Sequence, residues 1–239
     1  MGRSDSIQVM RSSERDGWTP LASPPGDAGT GGAETAAFTS ADDRFTVGLW
    51  TREPDTWKFE RPYDEVALIL EGAAGMEGED GRVHRLTAGT VIITPNGSKG
   101  TWRITEQLTK CFVIYEGGQV GDTTISTVDG RGEGLDWTII PTDPGDPNEP
   151  GEETVLFRSI DAQASVGLWR RAPETGAMDL SAYHEVACLL EGEVDVAPGG
   201  GDAILSVGPG DVLVTPRGTL AEWRARSAVR KLWAVYHGE

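Results

Sequence analysis

One ten-residue stretch occurs twice, and this duplication limits the folds open to the chain more than any other feature. Tyr63-Asp64-Glu65-Val66-Ala67-Leu68-Ile69-Leu70-Glu71-Gly72 returns as Tyr183-His184-Glu185-Val186-Ala187-Cys188-Leu189-Leu190-Glu191-Gly192. The correspondence extends upstream. Trp18-Thr19 and Pro25-Gly26-Asp27 recur as Trp137-Thr138 and Pro144-Gly145-Asp146. Glu34-Thr35 with Phe38 recurs as Glu153-Thr154 with Phe157, and Val47-Gly48-Leu49-Trp50 as Val166-Gly167-Leu168-Trp169. Downstream, Thr94-Pro95-Asn96-Gly97, Trp102-Arg103, Lys110 and Tyr115 match Thr215-Pro216-Arg217-Gly218, Trp223-Arg224, Lys231 and Tyr236. The register slips by one residue before the Glu-Gly stretch and by one more at the hairpin after it. A period of about 120 residues is too long for a solenoid repeat and matches a domain. The chain therefore reads as two homologous domains in tandem. A polar segment over residues 1–15, expected to be mobile, precedes a first domain at 16–118. A Gly-rich linker follows at 119–134, and a second domain occupies 135–239.

Each copy of the stretch opens on a carboxylate and runs through apolar residues to Glu-Gly. It is too short for a typical helix and is bounded by turn residues, so it reads as a buried strand. Further strands are expected at Phe45–Trp50, Val83–Leu86, Val91–Thr94 and Phe112–Tyr115, with a hairpin turn at Asp80-Gly81. In the second half they fall at Ser165–Trp169, Ala203–Val207, Val212–Thr215 and Leu232–Tyr236. Weak strand character at Thr123–Val128 lies in the linker, and Pro/Gly-rich loops are expected at Ser23–Gly32 and Asp143–Gly151. Many short strands separated by Gly and Pro predict an all-β chain of two jelly-roll barrels.

A glutamate at the inner end of a buried strand must face water or a partner, because burying it bare is costly. Glu65 and Glu185 are therefore the first site candidates. The formal net charge of −17 argues against nucleic acid or an anionic membrane as partner, since either requires a basic face. No apolar run is long enough to span a membrane and no signal peptide is legible, so the expected setting is cytoplasmic. Cys111 and Cys188 do not occupy equivalent repeat positions and read as buried free thiols.

The combination of motifs resembles the cupin superfamily, in particular its small branch related to ureidoglycine aminohydrolase. It is carried by Gly48-Leu49-Trp50, the Glu65 to Gly72 stretch, Ala88-Gly89-Thr90, Pro95-Asn96-Gly97, Trp102 and Lys110. The second half carries it in Gly167-Leu168-Trp169, Glu185 to Gly192, Gly210-Asp211, Pro216-Arg217-Gly218, Trp223 and Lys231. The resemblance implies a bicupin with a small-molecule pocket in each barrel. In metal-bearing cupins two histidines and a glutamate on one motif, with a later histidine, hold Mn, Fe, Ni or Zn. Carried over, the glutamate is kept as Glu65 and Glu185. The paired histidines become Lys58 and Glu60 in one half and Met178 and Leu180 in the other, and the later histidine becomes Gly100 and Ala221. No cofactor is therefore expected, with a divalent metal ion held by carboxylates as the alternative.

Glu65, Lys58 and Glu60 are expected to converge as an acid–base group. Trp102, Met178, Glu185 and Trp223 are expected to line ligand pockets. His184, adjacent to Glu185, should point to the opposite face. Trp50 and Trp169 read as core. Lys110 and Lys231 suggest a shared ion pair, with Glu71 and Glu191 as the acidic partners.

Three functions remain open at this stage. The first is a metal-independent bicupin binding a small polar molecule, with isomerase, cyclase or lyase chemistry within reach. The second is a metal-dependent hydrolase resembling ureidoglycine aminohydrolase. The third is a non-catalytic sensor or structural homodimer paired through flat sheet faces.

Overall fold

The computed structural model describes residues 6–21, 31–142, 148–180, 182–199 and 204–238, without the side chains of Met178 and Asp179. Both Pro-Gly-Asp repeats, most of the two expected loops and the expected strand start at Ala203 fall outside these residues. The described residues contain strands and no helix. They divide into two compact units. One is Arg15–Arg131 with Ser159–Asp161, and the other is Met1–Glu14 with Gly132–Arg158 and Ala162–Glu239.

Each unit is an antiparallel jelly-roll barrel. In the first, nine strands form one continuous sheet. Two long strands, Asp64–Gly78 and Lys99–Tyr115, run through both walls of the barrel and pair along their length. The pairing shifts register between Ile69 and Ala74, where the strand turns the corner from one wall to the other. The Glu-Gly signature marks that corner. Gly72 has φ +86°, and a Cβ there would lie 2.0 Å from the Gln107 carbonyl oxygen. Gly192 has φ +83°, and its Cβ would lie 2.4 Å from the Ala228 carbonyl oxygen. Only glycine fits both the left-handed backbone and the close approach. In the second unit the corner interrupts pairing, so His184–Glu191 and Val194–Pro198 are separate strands in sheets of seven and four strands.

Two segments expected to lie outside the domains are strands. Gln8–Met10, in the segment expected to be mobile, pairs with Val212–Val214 of the second unit. Ser126–Asp129, in the expected linker, pairs with Thr90–Ile93 of the first. The two strands are equivalent: each covers the edge beside the Glu65 or Glu185 strand's neighbour, satisfying amides that would otherwise be an open sheet edge.

Each barrel has its own core. Ala67, Ile69, Met76, Leu86, Ile92 and Leu108 fill the first, and Ala187, Leu189, Val196, Leu213, Val207 and Val229 the second. Cys111 and Cys188 are free and buried.

Candidate functional site

The two inner strands bring the repeated charges together. Glu65 and Lys110 lie on neighbouring strands, and the pleat places Glu65, Ala67 and Ile69 on the same face as Lys110, Phe112 and Ile114. Lys110 reaches along that face and donates from Nζ to Glu65 Oε1. Arg61 approaches from the other side, with Nη2 2.9 Å from Glu65 Oε2. Both carboxylate oxygens are therefore occupied by cations. Glu65 is 3% exposed and Lys110 5%, so the group is a buried triad of two cations and one anion. Two indole rings flank the ammonium, Trp50 at 4.8 Å and Trp102 at 5.5 Å to the ring centroids, within cation–π range. Trp57 stacks on Trp102 at 5.8 Å, and Arg52, tied to Asp55 by a 2.9 Å hydrogen bond from Nε, lies over Trp57.

Burial alone would raise the Glu65 carboxyl, but Arg61 and Lys110 together hold it below the usual glutamate value. Burial lowers Lys110, with Arg61 adding to it and Glu65 opposing. Burial also raises the Tyr63 phenol, and the neighbouring Glu65 charge reinforces that. A cavity of about 220 Å³ opens onto the triad, with Glu34, Trp50, Trp57, Arg61, Glu65 and Lys110 in its wall.

The second barrel repeats the arrangement with fewer charges. Lys231 Nζ donates to Glu185 Oε1 at 2.5 Å, under Trp169 at 5.0 Å and Trp223 at 5.3 Å. A cavity of about 330 Å³ is lined by Glu153, Trp169, Tyr183, Glu185 and Lys231, the counterparts of Glu34, Trp50, Tyr63, Glu65 and Lys110. The position of Arg61 carries no charge here. The Arg61 carbonyl accepts from the Gly97 amide of the Pro-Asn-Gly turn, as the Leu180 carbonyl accepts from Gly218. Trp57 lies opposite Trp102 as Gly176 lies opposite Trp223. The equivalents of Trp57, Phe59 and Arg61 are thus Gly176, Met178 and Leu180, one residue out of step with the carry-over made from the motif.

That shift corrects several expectations. Lys58 and Glu60 are exposed, while Trp57 and Phe59, which alternate with them, turn inward, so neither Lys58 nor Glu60 joins Glu65. Glu60 instead meets Lys99 at 3.3 Å on the surface. Lys110 and Lys231 pair with Glu65 and Glu185; Glu71 and Glu191 are bound to Arg15 and Arg230. Trp102 and Trp223 are both buried; Trp102 lines the first cavity, whereas Trp223 is not among the residues lining the second, and among the described residues neither indole N–H has a partner. Trp50 and Trp169 are half-buried walls of the cavities rather than core alone. Leu180 is buried, and the Met178 side chain lies outside the described residues. His184 Nδ1 accepts from the Arg217 amide at 3.1 Å.

The residues at the ligand positions do not suit a metal ion. A Cβ on Gly100 would lie 2.4 Å from the Glu77 carbonyl oxygen, leaving no room for an imidazole. Apart from Glu34, the wall around Glu65 is aromatic, cationic or aliphatic, and both Glu65 oxygens are engaged by cations. Among the described residues no group of three or more His, Cys, Asp or Glu could hold a metal.

Residues 39–112 and 158–233 each match the EutQ-like cupin domain. No curated protein matches the chain. Among solved structures, a protein of unknown function of the DUF861 family from Pseudomonas syringae pv. tomato str. DC3000 is similar over 96% of this chain and 99% of its own, with 19% identity and a TM-score of 0.74. A putative glyoxylate-induced protein from Pseudomonas aeruginosa covers 99% and 90%, at 14% identity and TM-score 0.71. The Streptomyces albus enzyme HEPD, with 2-hydroxyethylphosphonate and Fe(II) bound, covers 98% and 77%, at 11% identity and TM-score 0.67. At these identities the likeness is one of fold.

Proposed function

The chain belongs to the EutQ-like cupin family, and we propose that its barrels bind a small polar molecule through fixed protein charges instead of a metal ion. The observation that carries this reading is the Glu–Lys pair between two tryptophans, facing a cavity in both barrels. By the family resemblance Glu65 stands at the metal-ligand glutamate; here Lys110 and Arg61 supply the positive charge it faces. Such preorganised charges need no reorganisation to attract a polar ligand.

The first barrel is the primary binding site in this reading. Its triad is surplus in positive charge, and its aromatic wall supplies flat surfaces for a planar ligand. The second barrel, with a one-to-one pair and Leu180 in place of Arg61, takes a less acidic ligand or serves the assembly. Glu65 is held ionised with both oxygens engaged, so it is poorly placed as a general base. Binding, as a sensor or carrier, fits the triad better than isomerase or lyase chemistry.

A hydrolase like ureidoglycine aminohydrolase is the second reading. The tandem barrels and the Fe(II) of the Streptomyces albus neighbour favour it, and the donor set opposes it. A cytoplasmic setting is in keeping with the two free thiols. The test is a thermal-shift screen of small metabolites with and without EDTA. Stabilisation that survives chelation and is lost in Arg61→Leu supports the fixed-charge pocket. Stabilisation that requires added Mn, Fe, Ni or Zn overturns it.

A further inference from the structure

The first cavity has one charged wall residue left over. Arg52 is neutralised by Asp55, and Arg61 and Lys110 share Glu65. Glu34 also lines the cavity, yet among the described residues it forms no ion pair and no side-chain hydrogen bond. Its negative charge is felt at Lys110 and Tyr63, so it lies within electrostatic reach of the triad.

Strand pairing fixes its place. Glu34 is opposite Trp50, Trp50 opposite Lys110, and Lys110 opposite Ile69. These four residues form one row across four adjacent strands, on one face of the pleat. The second barrel repeats the row as Glu153, Trp169, Lys231 and Leu189. Glu153 also lines its cavity, and among the described residues it too forms no ion pair. Two carboxylates at the same register position each face a cavity, and among the described residues neither is held by an ion pair or a side-chain hydrogen bond, so each can accept from a ligand.

The same wall holds cations. Arg61 and Lys110 line the cavity beside Glu34, and together they outnumber the one carboxylate, Glu65, that they share. A cavity with cations and a carboxylate in one wall is matched by a molecule that offers both an acceptor and a donor.

We propose that Glu34 is a specificity-determining ligand contact of the first barrel, and Glu153 of the second. The Glu34 carboxylate accepts a hydrogen bond from an ammonium, amide or hydroxyl group of the ligand. A carboxylate or carbonyl oxygen of the same ligand is drawn to the Arg61 and Lys110 cations of the same wall. This rests on the pocket reading above and adds the ligand's class: a metabolite smaller than the occupants of drug-sized pockets of about 300–1,000 Å³, carrying both kinds of group.

Four probes of similar size separate the possibilities: propionate (acceptor only), ethylamine (donor only), and lactate and alanine (both). Each is titrated into the full chain by calorimetry, with thermal shift alongside. Lactate or alanine should bind more tightly than propionate or ethylamine. Glu34→Leu should remove about tenfold or more of that advantage, the loss of a hydrogen bond to a charged group. The same variant should change the ligand-free melting temperature only slightly, because Glu34 loses no ion pair or hydrogen bond and only its longer-range attraction to Lys110. Arg61→Leu should weaken propionate and lactate alike. Equal binding of propionate and alanine, with the ranking unaltered in Glu34→Leu, would overturn the role of Glu34 and leave the pocket standing. A fall of several degrees in the ligand-free Glu34→Leu protein would mark Glu34 as structural. No response to any probe would overturn the pocket reading together with this one.

Discussion

Glu65→Gln tests whether the buried triad is an electrostatic unit. The substitution keeps the volume and removes the only anion between two cations. Glu65 and Lys110 are both almost fully buried, and the Arg61 side chain is 14% exposed, so solvent screens little of the charge left behind. Breaking a buried pair by removing one partner costs about 3–5 kcal/mol, and here two cations lose their partner together. For a unit of roughly 120 residues, each kcal/mol shifts the melting temperature by about 3–5 °C, so a fall of about 10–25 °C is expected. Two comparisons make the charge accounting specific. Lys110→Met leaves Glu65 and Arg61 balanced one to one and should cost less than Glu65→Gln. Glu185→Gln frees only Lys231, in a pair whose side chains are 11% and 15% exposed, and should cost about 1–3 kcal/mol. Urea and thermal unfolding followed by tryptophan fluorescence would read all three. A Glu65→Gln cost below about 1 kcal/mol, or one no larger than that of Glu185→Gln, would refute the reasoning.

Other consequences follow from single residues. The folded Glu65 carboxyl titrates below its ordinary 4.5, so its contribution is complete above that pH and is lost as pH falls through the lower folded value; the acid limb of a stability–pH curve should be flatter in Glu65→Gln. His84 is buried, with Nε2 unpartnered among the described residues, and burial, aided by Arg82, holds it below its ordinary 6.5. The unfolded chain therefore takes up the proton first, and stability should fall as pH drops below 6.5; part of that loss should disappear in His84→Gln, measured by thermal unfolding between about pH 7.5 and 5.5. Gly72→Ala should cost more than about 2 kcal/mol in urea unfolding, because it combines a left-handed alanine with a clash against the Gln107 carbonyl; a near-neutral result would mean the corner relaxes freely.

The repeat made the two barrels and half of each site legible in sequence. Glu65, Glu185, Trp102 and Trp223 stood out because they recur, and the recurrence of Lys110 and Lys231 signalled a shared ion pair. The partner was misassigned because Glu71 lies nearer to Lys110 in pairing register than Glu65 does. A lysine is long enough to reach along the inner face past its nearest neighbours, and sequence spacing does not show that. Arg61 was missed for the opposite reason: its counterpart is Leu180, so a search for recurrence passes over it. Lys58 and Glu60 failed by one residue. With a period of two, a single slip exchanges the inside and outside of a strand, and the slip between the halves falls right after Arg61 and Leu180. Glu34 was visible as half of a repeated Glu-Thr, but only strand pairing places it in a row with Trp50 and Lys110. The edge strand at Gln8–Met10 is three residues long, too short to carry a periodic signal, and the four-residue strand at Ser126–Asp129 showed in sequence only as weak strand character at Thr123–Val128.

The most direct test of a charge-built site is the metal content of untagged protein purified without chelator, measured by mass spectrometry on the wild type and Glu65→Gln. The fixed-charge account predicts Mn, Fe, Ni and Zn far below one equivalent per chain in both proteins. Near-stoichiometric metal in the wild type that is lost in Glu65→Gln would contradict it, and would make Glu65 a metal ligand with Lys110 displaced.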